Sequence, residues 1–173
     1  PLQLAQYLLD VSPDVSRALY DFLRECNAGW SLKAFVPGTD NVDARATVEL
    51  NGMAATLARV HGTPDVVFNR LFIAVWMRGA AFSELVVGPD GREFVDIATP
   101  DPGLARFRQV VDPVRGTVYQ LGQFLDGRWV VYDRPTISYI PVDPLPGSPY
   151  GRPLVAPALF VTPVFHLPFA VLI

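Results

Sequence analysis

The chain contains 173 residues, half of them hydrophobic, and carries a formal net charge of −3. A chain of this length is expected to form one domain with an ordinary hydrophobic core. Its basic residues are almost all arginine, with Lys33 the only lysine, and the absence of a basic block disfavours tight electrostatic binding of DNA or RNA. The single cysteine, Cys26, excludes a disulfide within the chain and suits a reducing compartment.

The mean hydropathy is positive, which is high for a soluble monomer. Part of the surface is therefore expected to contact another chain or a missing part of this one. The sequence begins at Pro1 without a signal peptide and ends on the apolar run Phe169–Ile173. We expect a fragment of a longer protein.

The first half of the chain is predicted to be helical. A short helix covers Leu2 to Val11, and Ser12 then provides an N-cap for a second helix with Pro13 as its first residue. Apolar residues at helical spacing from Val15 to Cys26 predict that one face of this second helix is buried. Further elements follow in order: a short strand from Trp30 to Val36, a helix from Val42 to Val60, and a helix with body Val66 to Met77 that opens at Thr63-Pro64-Asp65.

In the second half of the chain, the hydrophobic residues recur with the period of β-strands. "AAFSELVV" and "REFVDIA" flank Gly88-Pro89-Asp90-Gly91, a strong hairpin pattern because Asp-Gly accepts positive φ. A second hairpin has Asp126-Gly127 at its turn. The predicted strands outside the first hairpin are Arg106–Val111, Val118–Phe124, Arg128–Tyr132 and Ile137–Ile140. The pattern predicts an α+β fold over residues 1–142, with helices packed on an antiparallel sheet built from hairpins.

Residues 143–173 differ from the rest, because "DPLPGSPYGRPLVAPALF" holds five prolines yet remains apolar. Proline lacks an N–H and fixes φ, so this stretch is neither a helix interior nor a central strand. We expect a proline-rich strap, stiffest over residues 148–153, followed by a further apolar segment. Residues 153–173 carry no Asp, Glu, Lys or Arg, a length that spans a bilayer, but Pro157, Pro163 and Pro168 argue against a spanning helix.

Candidate catalytic groups are few. Glu84 and Asp96 lie on the two arms of the first hairpin and would serve general acid–base chemistry if they flanked a cleft; otherwise they are rim residues of a sheet. Arg70 and Arg78 would either bind a phosphate or carboxylate or pair with neighbouring acids. The remaining chemistry-bearing residues fit no metal or nucleophile pattern, and no cofactor motif occurs: Cys26, His61 and His166. Three tryptophans stand in apolar patterns that favour core or subunit contacts over stacking platforms: Trp30, Trp76 and Trp129.

Three stretches together resemble the portal proteins of tailed bacteriophages, including the Mu-like branch. "SPDVSRALYDFLRECNAGWSLKAFV" resembles the portal opening, in which a helix leads into a strand with an early tryptophan. "LFIAVWMRGAAFSELVVGPDGREFVDIATPDP" is similar to the family's long apolar helix, strand, Asp-Gly turn and Pro-Asp-Pro loop. "GSPYGRPLVAPAL" resembles the element that precedes the helix toward the portal stem.

The resemblance implies a non-enzymatic structural subunit, without cofactor, metal or membrane contact. Such subunits form a ring, usually of twelve copies, at one capsid vertex, and assemble in the bacterial host cytoplasm before residing in the virion. The ring passes double-stranded DNA without sequence specificity and forms the head–tail connector, with terminase, capsid and head–tail adaptor proteins as partners. This chain would supply the outer α+β wing region, while stem and clip are missing. It departs from the family at Pro163 and Pro168, where a long helix is expected.

Five residues are predicted to lie at the subunit interface: Trp76, Tyr150, Arg152, Pro153 and Leu154. The strap would lie against its own domain and a neighbouring subunit, with Tyr150 and Arg152 as anchors. An intramolecular linker that folds only on its own domain is the alternative. Two other function classes remain open: a small hydrolase-like or ligand-binding domain that uses Glu84, Asp96 or the arginines, and an interaction or membrane-associated module that uses the proline-rich tail.

Overall fold

The computed structural model describes residues 2–157, with side chains from residue 6 onward. It confirms the α+β class. Within these described residues, four helices precede six strands, and a 3-10 turn at Pro102–Leu104 lies between the second and third strands. The helices are α1 (Leu2–Val11), α2 (Pro13–Cys26), α3 (Ala44–His61) and α4 (Asp65–Arg78).

The start of α2 agrees with the predicted position. Ser12 has extended backbone angles and Pro13 is the first helical residue, where its missing N–H costs nothing. The Ser12 side chain makes no capping hydrogen bond. The Ser16 hydroxyl instead donates to the Leu9 carbonyl, which joins the first turn of α2 to the last turn of α1.

The starts of α3 and α4 differ from the predictions. Asp43 caps α3, because its side chain accepts a 3.0 Å hydrogen bond from the Ala46 N–H. For α4, which was expected to open at Thr63, it is Pro64 that occupies the cap position, with helical backbone angles and no side-chain bond. At the other end, α4 stops at Gly79, whose φ of +77° is accessible to glycine.

The strand predicted from Trp30 to Val36 is absent apart from an isolated bridge between Phe35 and Val42. The backbone groups of this segment bind the start of α3 instead. The Ala34 N–H donates to the Thr47 hydroxyl, and the Ala34 carbonyl accepts from the Asp43 N–H. A segment whose donors and acceptors are used in this way has few left for a strand partner.

The six strands form two sheets rather than the single sheet expected. The first sheet has the order β2-β1-β6, with β1 at Ala80–Val87, β2 at Phe94–Ala98 and β6 at Ile137–Pro141. The second has the order β3-β4-β5, with β3 at Arg106–Asp112, β4 at Gly116–Leu125 and β5 at Arg128–Val131. All neighbours are antiparallel. Both Asp-Gly hairpins are confirmed, and Asp126 and Gly127 adopt the positive φ expected there.

The helices pack on the first sheet. α4 lies against β1 and α3 against β2, whereas the second sheet has no comparable helix packing within residues 2–157. The main core cluster joins α1, α2 and α4 to one residue beyond the sheets. Its buried members are Leu8, Val15, Leu19, Leu23, Trp76, Met77 and Val155. Among the described residues, no helix is both long and apolar enough to cross a membrane.

Gly122 in β4 is buried beneath a tryptophan on the neighbouring strand. A Cβ at this position would lie 2.5 Å from the Val130 carbonyl oxygen and 2.7 Å from the indole of Trp129. The indole therefore occupies the space that a side chain would take. Arg108 completes this cluster with its guanidinium carbon 5.2 Å from the centre of the Trp129 ring.

Gly122→Ala is expected to lower the free energy of unfolding by about 1–3 kcal/mol, because Trp129 has to move out of its place. Chemical denaturation measures the change. Gly52→Ala in α3 is the matched control: nothing lies within 4 Å of its added Cβ, so removal of a helical glycine should raise stability by about 0.5–1 kcal/mol. Equal effects of the two substitutions would contradict the packing described.

Candidate subunit interface

The strap crosses the backbone of the α4–β1 junction at very short range. Gly79 and Gly151 lie at the crossing. A Cβ on Gly79 would lie 2.4 Å from the Arg152 carbonyl carbon, and a Cβ on Gly151 would lie 1.8 Å from the Gly79 carbonyl oxygen. Both positions therefore require glycine for a steric reason that involves residues distant in sequence.

Hydrogen bonds hold the strap at this crossing. The Val142 N–H donates to the Gly79 carbonyl over 2.8 Å, and the Arg152 N–H donates to the Val142 carbonyl over 2.9 Å. One turn later the Val155 N–H donates to the Trp76 carbonyl over 3.2 Å. That carbonyl belongs to the last turn of α4, where it lacks an intrahelical partner. The strap thus caps the helix that it crosses.

Val155 anchors the strap in the core. Its side chain is 1% exposed and packs in the same cluster as Trp76 and Leu19. Burial of a valine side chain stabilises by about 1.5–3 kcal/mol relative to its exposure. The described part of the strap is therefore a component of its own domain, which both the strap prediction and the intramolecular alternative require.

Tyr150 connects the strap to the second sheet. Its hydroxyl oxygen accepts a 3.2 Å hydrogen bond from the Phe107 N–H. Its ring meets the Phe107 ring edge to face, with centroids 5.1 Å apart, and Phe107 also contacts Tyr139 of β6 at 5.0 Å. This aromatic chain joins strap, second sheet and first sheet.

The structure places the five predicted interface residues in two different settings. Trp76 is 8% exposed and belongs to the core, which leaves little of its side chain for another subunit. Tyr150, Arg152 and Leu154 are exposed and Pro153 is half-buried. Three of the five line one cavity of about 440 Å³ on the strap, together with Asp143, Ala156 and Pro157. We call this the strap surface: Arg152, Pro153 and Leu154.

An ion pair fixes one end of the strap surface. The Arg152 guanidinium donates to the Asp143 carboxylate and, over 3.1 Å, to the Asp143 carbonyl. Both side chains are more than half exposed, so the pair adds little net stability in water. Its effect is to hold the arginine in a defined orientation.

Arg70 and Arg78, for which the sequence left open ligand binding or pairing with acids, lie at the same cavity. This cavity of about 240 Å³ is also lined by Thr99, Asp101 and apolar residues of α4. Arg78 donates to the Asp101 carboxylate over 2.8 Å, which is the pairing with an acid weighed above. Neither Glu84 nor Asp96 lines this cavity.

Asp96 forms a pair with His61 that the sequence analysis did not anticipate. His61 Nε2 lies 2.7 Å from Asp96 Oδ1 and joins the end of α3 to β2. Burial of the Asp96 carboxyl raises its pKa, but hydrogen bonds from His61 and the Ile97 N–H, with the charges of His61 and Arg70, outweigh it and leave the pKa below 3.8. Glu84 pairs with Ala98 in the hairpin register and Asp96 with Val86, so the two acids are not directly opposite.

The structure also bears on the cysteine and on the possible metal ligands. Cys26 is exposed rather than on the buried face of α2, because it lies in the last helical turn beyond Leu23, the final buried residue. Across the described chain, no group of three or more His, Cys, Asp or Glu side chains is placed to hold a metal ion. His166, Pro163 and Pro168 lie outside the described residues.

No family model matches the sequence, and no curated protein matches it.

Gly151→Ala is expected to detach the strap from Gly79, because the added Cβ overlaps the Gly79 carbonyl. Hydrogen–deuterium exchange should then become faster at the Val142, Arg152 and Val155 amides, and stability should fall by about 1–3 kcal/mol. Gly52→Ala serves as the glycine control and should leave exchange in the strap unchanged. Unaltered exchange in Gly151→Ala would show that the crossing is not tight.

Asp96→Asn is expected to lower the free energy of unfolding at pH 7 by about 1–3 kcal/mol through loss of a charged hydrogen bond. The folded-state pKa of Asp96 is lowered, so its stabilisation is present above pH 3.8 and disappears as the pH falls through the folded pKa. The difference between wild type and variant should therefore shrink below about pH 4. Asp40→Asn, in an exposed loop, is the control. A difference that grows toward low pH would refute this account.

Proposed function

We propose that this chain is a non-enzymatic structural subunit of a tailed-phage portal ring and contributes its outer α+β wing region. In this role the ring passes double-stranded DNA during packaging and ejection and forms the head–tail connector of the virion. The contacts it requires are with copies of itself and, through the ring, with terminase, capsid and adaptor proteins. The order of the three portal-like stretches in the sequence is the starting point for this proposal.

The strap surface is the observation that carries the proposal. Arg152, Pro153 and Leu154 are brought to one place, and Arg152 is already oriented by Asp143. The strap beneath them is fixed by backbone hydrogen bonds and by buried Val155. A preordered surface loses little conformational entropy on association, which favours binding to a partner.

The second sheet gives further support. Several large hydrophobic side chains on it are exposed to solvent, and the helices pack on the other sheet. These side chains are Val111, Tyr119, Phe124, Leu125 and Val130. Exposed apolar side chains in such number on one element are typical of surfaces that contact other protein.

Two of the candidate catalytic or ligand-binding side chains, Asp96 and Arg78, are engaged in pairs within the domain. A general acid at neutral pH needs a raised pKa, whereas that of Asp96 is lowered by its hydrogen bonds. Arg78 is paired with Asp101. These pairings favour the structural proposal over the hydrolase-like alternative at Glu84 and Asp96.

The charge of the chain is compatible with DNA passage. Tight binding to duplex DNA requires many basic contacts with phosphates and becomes strongly dependent on salt. With a formal net charge of −3 and a single lysine, the chain is expected to bind duplex DNA only weakly. A channel through which DNA moves benefits from that property.

The proposal predicts that the complete protein, with this chain extended past Ile173, forms closed rings visible by electron microscopy and countable by native mass spectrometry. Leu154→Asp, at a side chain 43% exposed on the strap surface, should convert rings to monomers because it buries an unpaired charge at the contact. Circular dichroism should show an unchanged fold, since Leu154 is not part of the core.

Leu104→Asp is the matched control. Leu104 is 52% exposed, lies on the 3-10 turn and does not line the strap cavity. This variant should assemble as the wild type does. A complete protein, extended past Ile173, that stays monomeric at its highest soluble concentration overturns the proposal, and equal assembly of both variants overturns the assignment of the strap surface.

A further inference from the structure

A cavity of about 240 Å³ that shares no residue with the strap surface lies between α1, α4 and the loop that follows β2. α1 contributes Gln6 to it. α4 supplies one wall, because residues three, four and seven positions apart share one face of a helix. The residues on that face are Arg70, Ile73, Ala74, Met77 and Arg78.

The body of the cavity is apolar. Besides the apolar residues of α4, it is lined by Phe82 of β1 and by two prolines of the loop, Pro100 and Pro102. Proline restricts the backbone, so this wall loses little conformational entropy when a ligand binds. An apolar cavity of about 150 Å³ accepts a benzene ring. The present cavity therefore has room for such a ring and for a small polar group attached to it.

Arg70 brings a positive charge to this cavity that no ion pair neutralises. Its side chain is exposed. Within residues 2–157, five other arginines form ion pairs with acids, and Arg70 is not among them: Arg17, Arg24, Arg45, Arg78 and Arg152. A negatively charged group in the cavity would meet this charge directly.

Arg78 is hydrogen-bonded on one side of its guanidinium. Nη2 donates to the Asp101 carboxylate over 2.8 Å, whereas Nη1 is buried and has no hydrogen-bond partner among the described residues. A buried charged N–H without an acceptor is destabilising, so a further acceptor is favoured here. The other oxygen of Asp101 is already engaged, because it accepts from the Gly103 N–H.

The guanidinium of Arg78 is able to turn toward the cavity. A two-bond pair with a carboxylate would fix its plane, but one hydrogen bond joins it to the Asp101 carboxylate. The Arg78 side chain is 25% exposed and lines the cavity. A turn about this bond brings Nη1 to the cavity surface while Nη2 stays with Asp101.

The charges around the cavity favour a ligand with one negative charge. Arg70 and Arg78 contribute two positive charges and Asp101 one negative charge, and the other lining side chains are uncharged, so the sum is +1. A carboxylate neutralises that charge and matches the geometry of guanidinium donors. Inorganic phosphate lacks the apolar body that the rest of the cavity favours.

We propose that this cavity binds a small carboxylate with an apolar ring, of about the size of benzoate. The carboxylate accepts hydrogen bonds from Arg78 and lies beside the charge of Arg70, and the ring packs against Met77, Phe82 and the two prolines. Asp101 is a positioning residue, because it orients Arg78. The site goes beyond the proposed ring and does not depend on it, since all its lining residues come from one chain.

Isothermal titration calorimetry on the complete protein, extended past Ile173, tests the ligand class with three probes. Benzoate should bind once per chain with a Kd of about 10 mM or tighter, as expected for a ligand of its size. Benzamide keeps the ring but has no charge, and inorganic phosphate keeps the charge but has no ring. Each of these two should bind at least about tenfold more weakly than benzoate.

Substitutions test the residues. Arg70→Gln should weaken benzoate binding by about fivefold or more through loss of its charge, and the fold should be kept because this side chain is exposed. Arg92→Gln is the matched control: it removes the same charge from an exposed residue that does not line the cavity. Ala74→Leu fills the cavity and should abolish binding, with circular dichroism to show that the fold is unchanged.

Several results would overturn the inference. These are no saturable binding of benzoate in the stated range, benzamide or phosphate binding as tightly as benzoate, and equal binding by the two glutamine variants. Weaker binding in Arg70→Gln alone, with benzoate preferred over both other probes, supports it. The portal proposal is judged separately by ring assembly, so a failure of benzoate to bind leaves that proposal standing.

Discussion

The backbone crossing at Gly79 and Gly151 is the constraint on which the rest of the domain depends. Two main chains approach more closely than any side chain allows, and the Val142 N–H closes the crossing with its bond to Gly79. The end of α4, the start of β1, the end of β6 and the strap are thereby held at one point. From there the strap supplies Val155 to the helical core, so that the last described residues complete the packing of the first helices.

The second sheet is attached in a different way. It is held mainly by aromatic contacts from Phe107 to Tyr139 and Tyr150, while many of its apolar side chains are exposed within residues 2–157. Within the described residues, the helical half is firmly packed, whereas the second sheet keeps large apolar side chains exposed. Two polar pairs, His61–Asp96 and Arg78–Asp101, add contacts within the domain between elements distant in sequence.

Much of the local structure follows from the sequence alone. Helical spacing of apolar residues and the Ser12-Pro13 start predict α2, and the Asp-Gly turns predict both hairpins, because these signals act over a few neighbouring residues. The failures arise where distant groups compete. The segment from Trp30 to Val36 alternates like a strand, yet its backbone binds the start of α3, and no local pattern reveals that partner.

The sequence by itself therefore determined the α+β class, the positions of most elements and the stiffness of the strap, since proline and glycine act on their own backbone. Only the tertiary structure decided that the strands divide into two sheets, that Trp76 is a core residue and that Asp96 is held by His61. It also brought Arg152, Pro153 and Leu154 to one surface. These outcomes depend on contacts between residues far apart in the chain. Several partners compete for each backbone group and side chain, and only the packing of the whole domain decides between them.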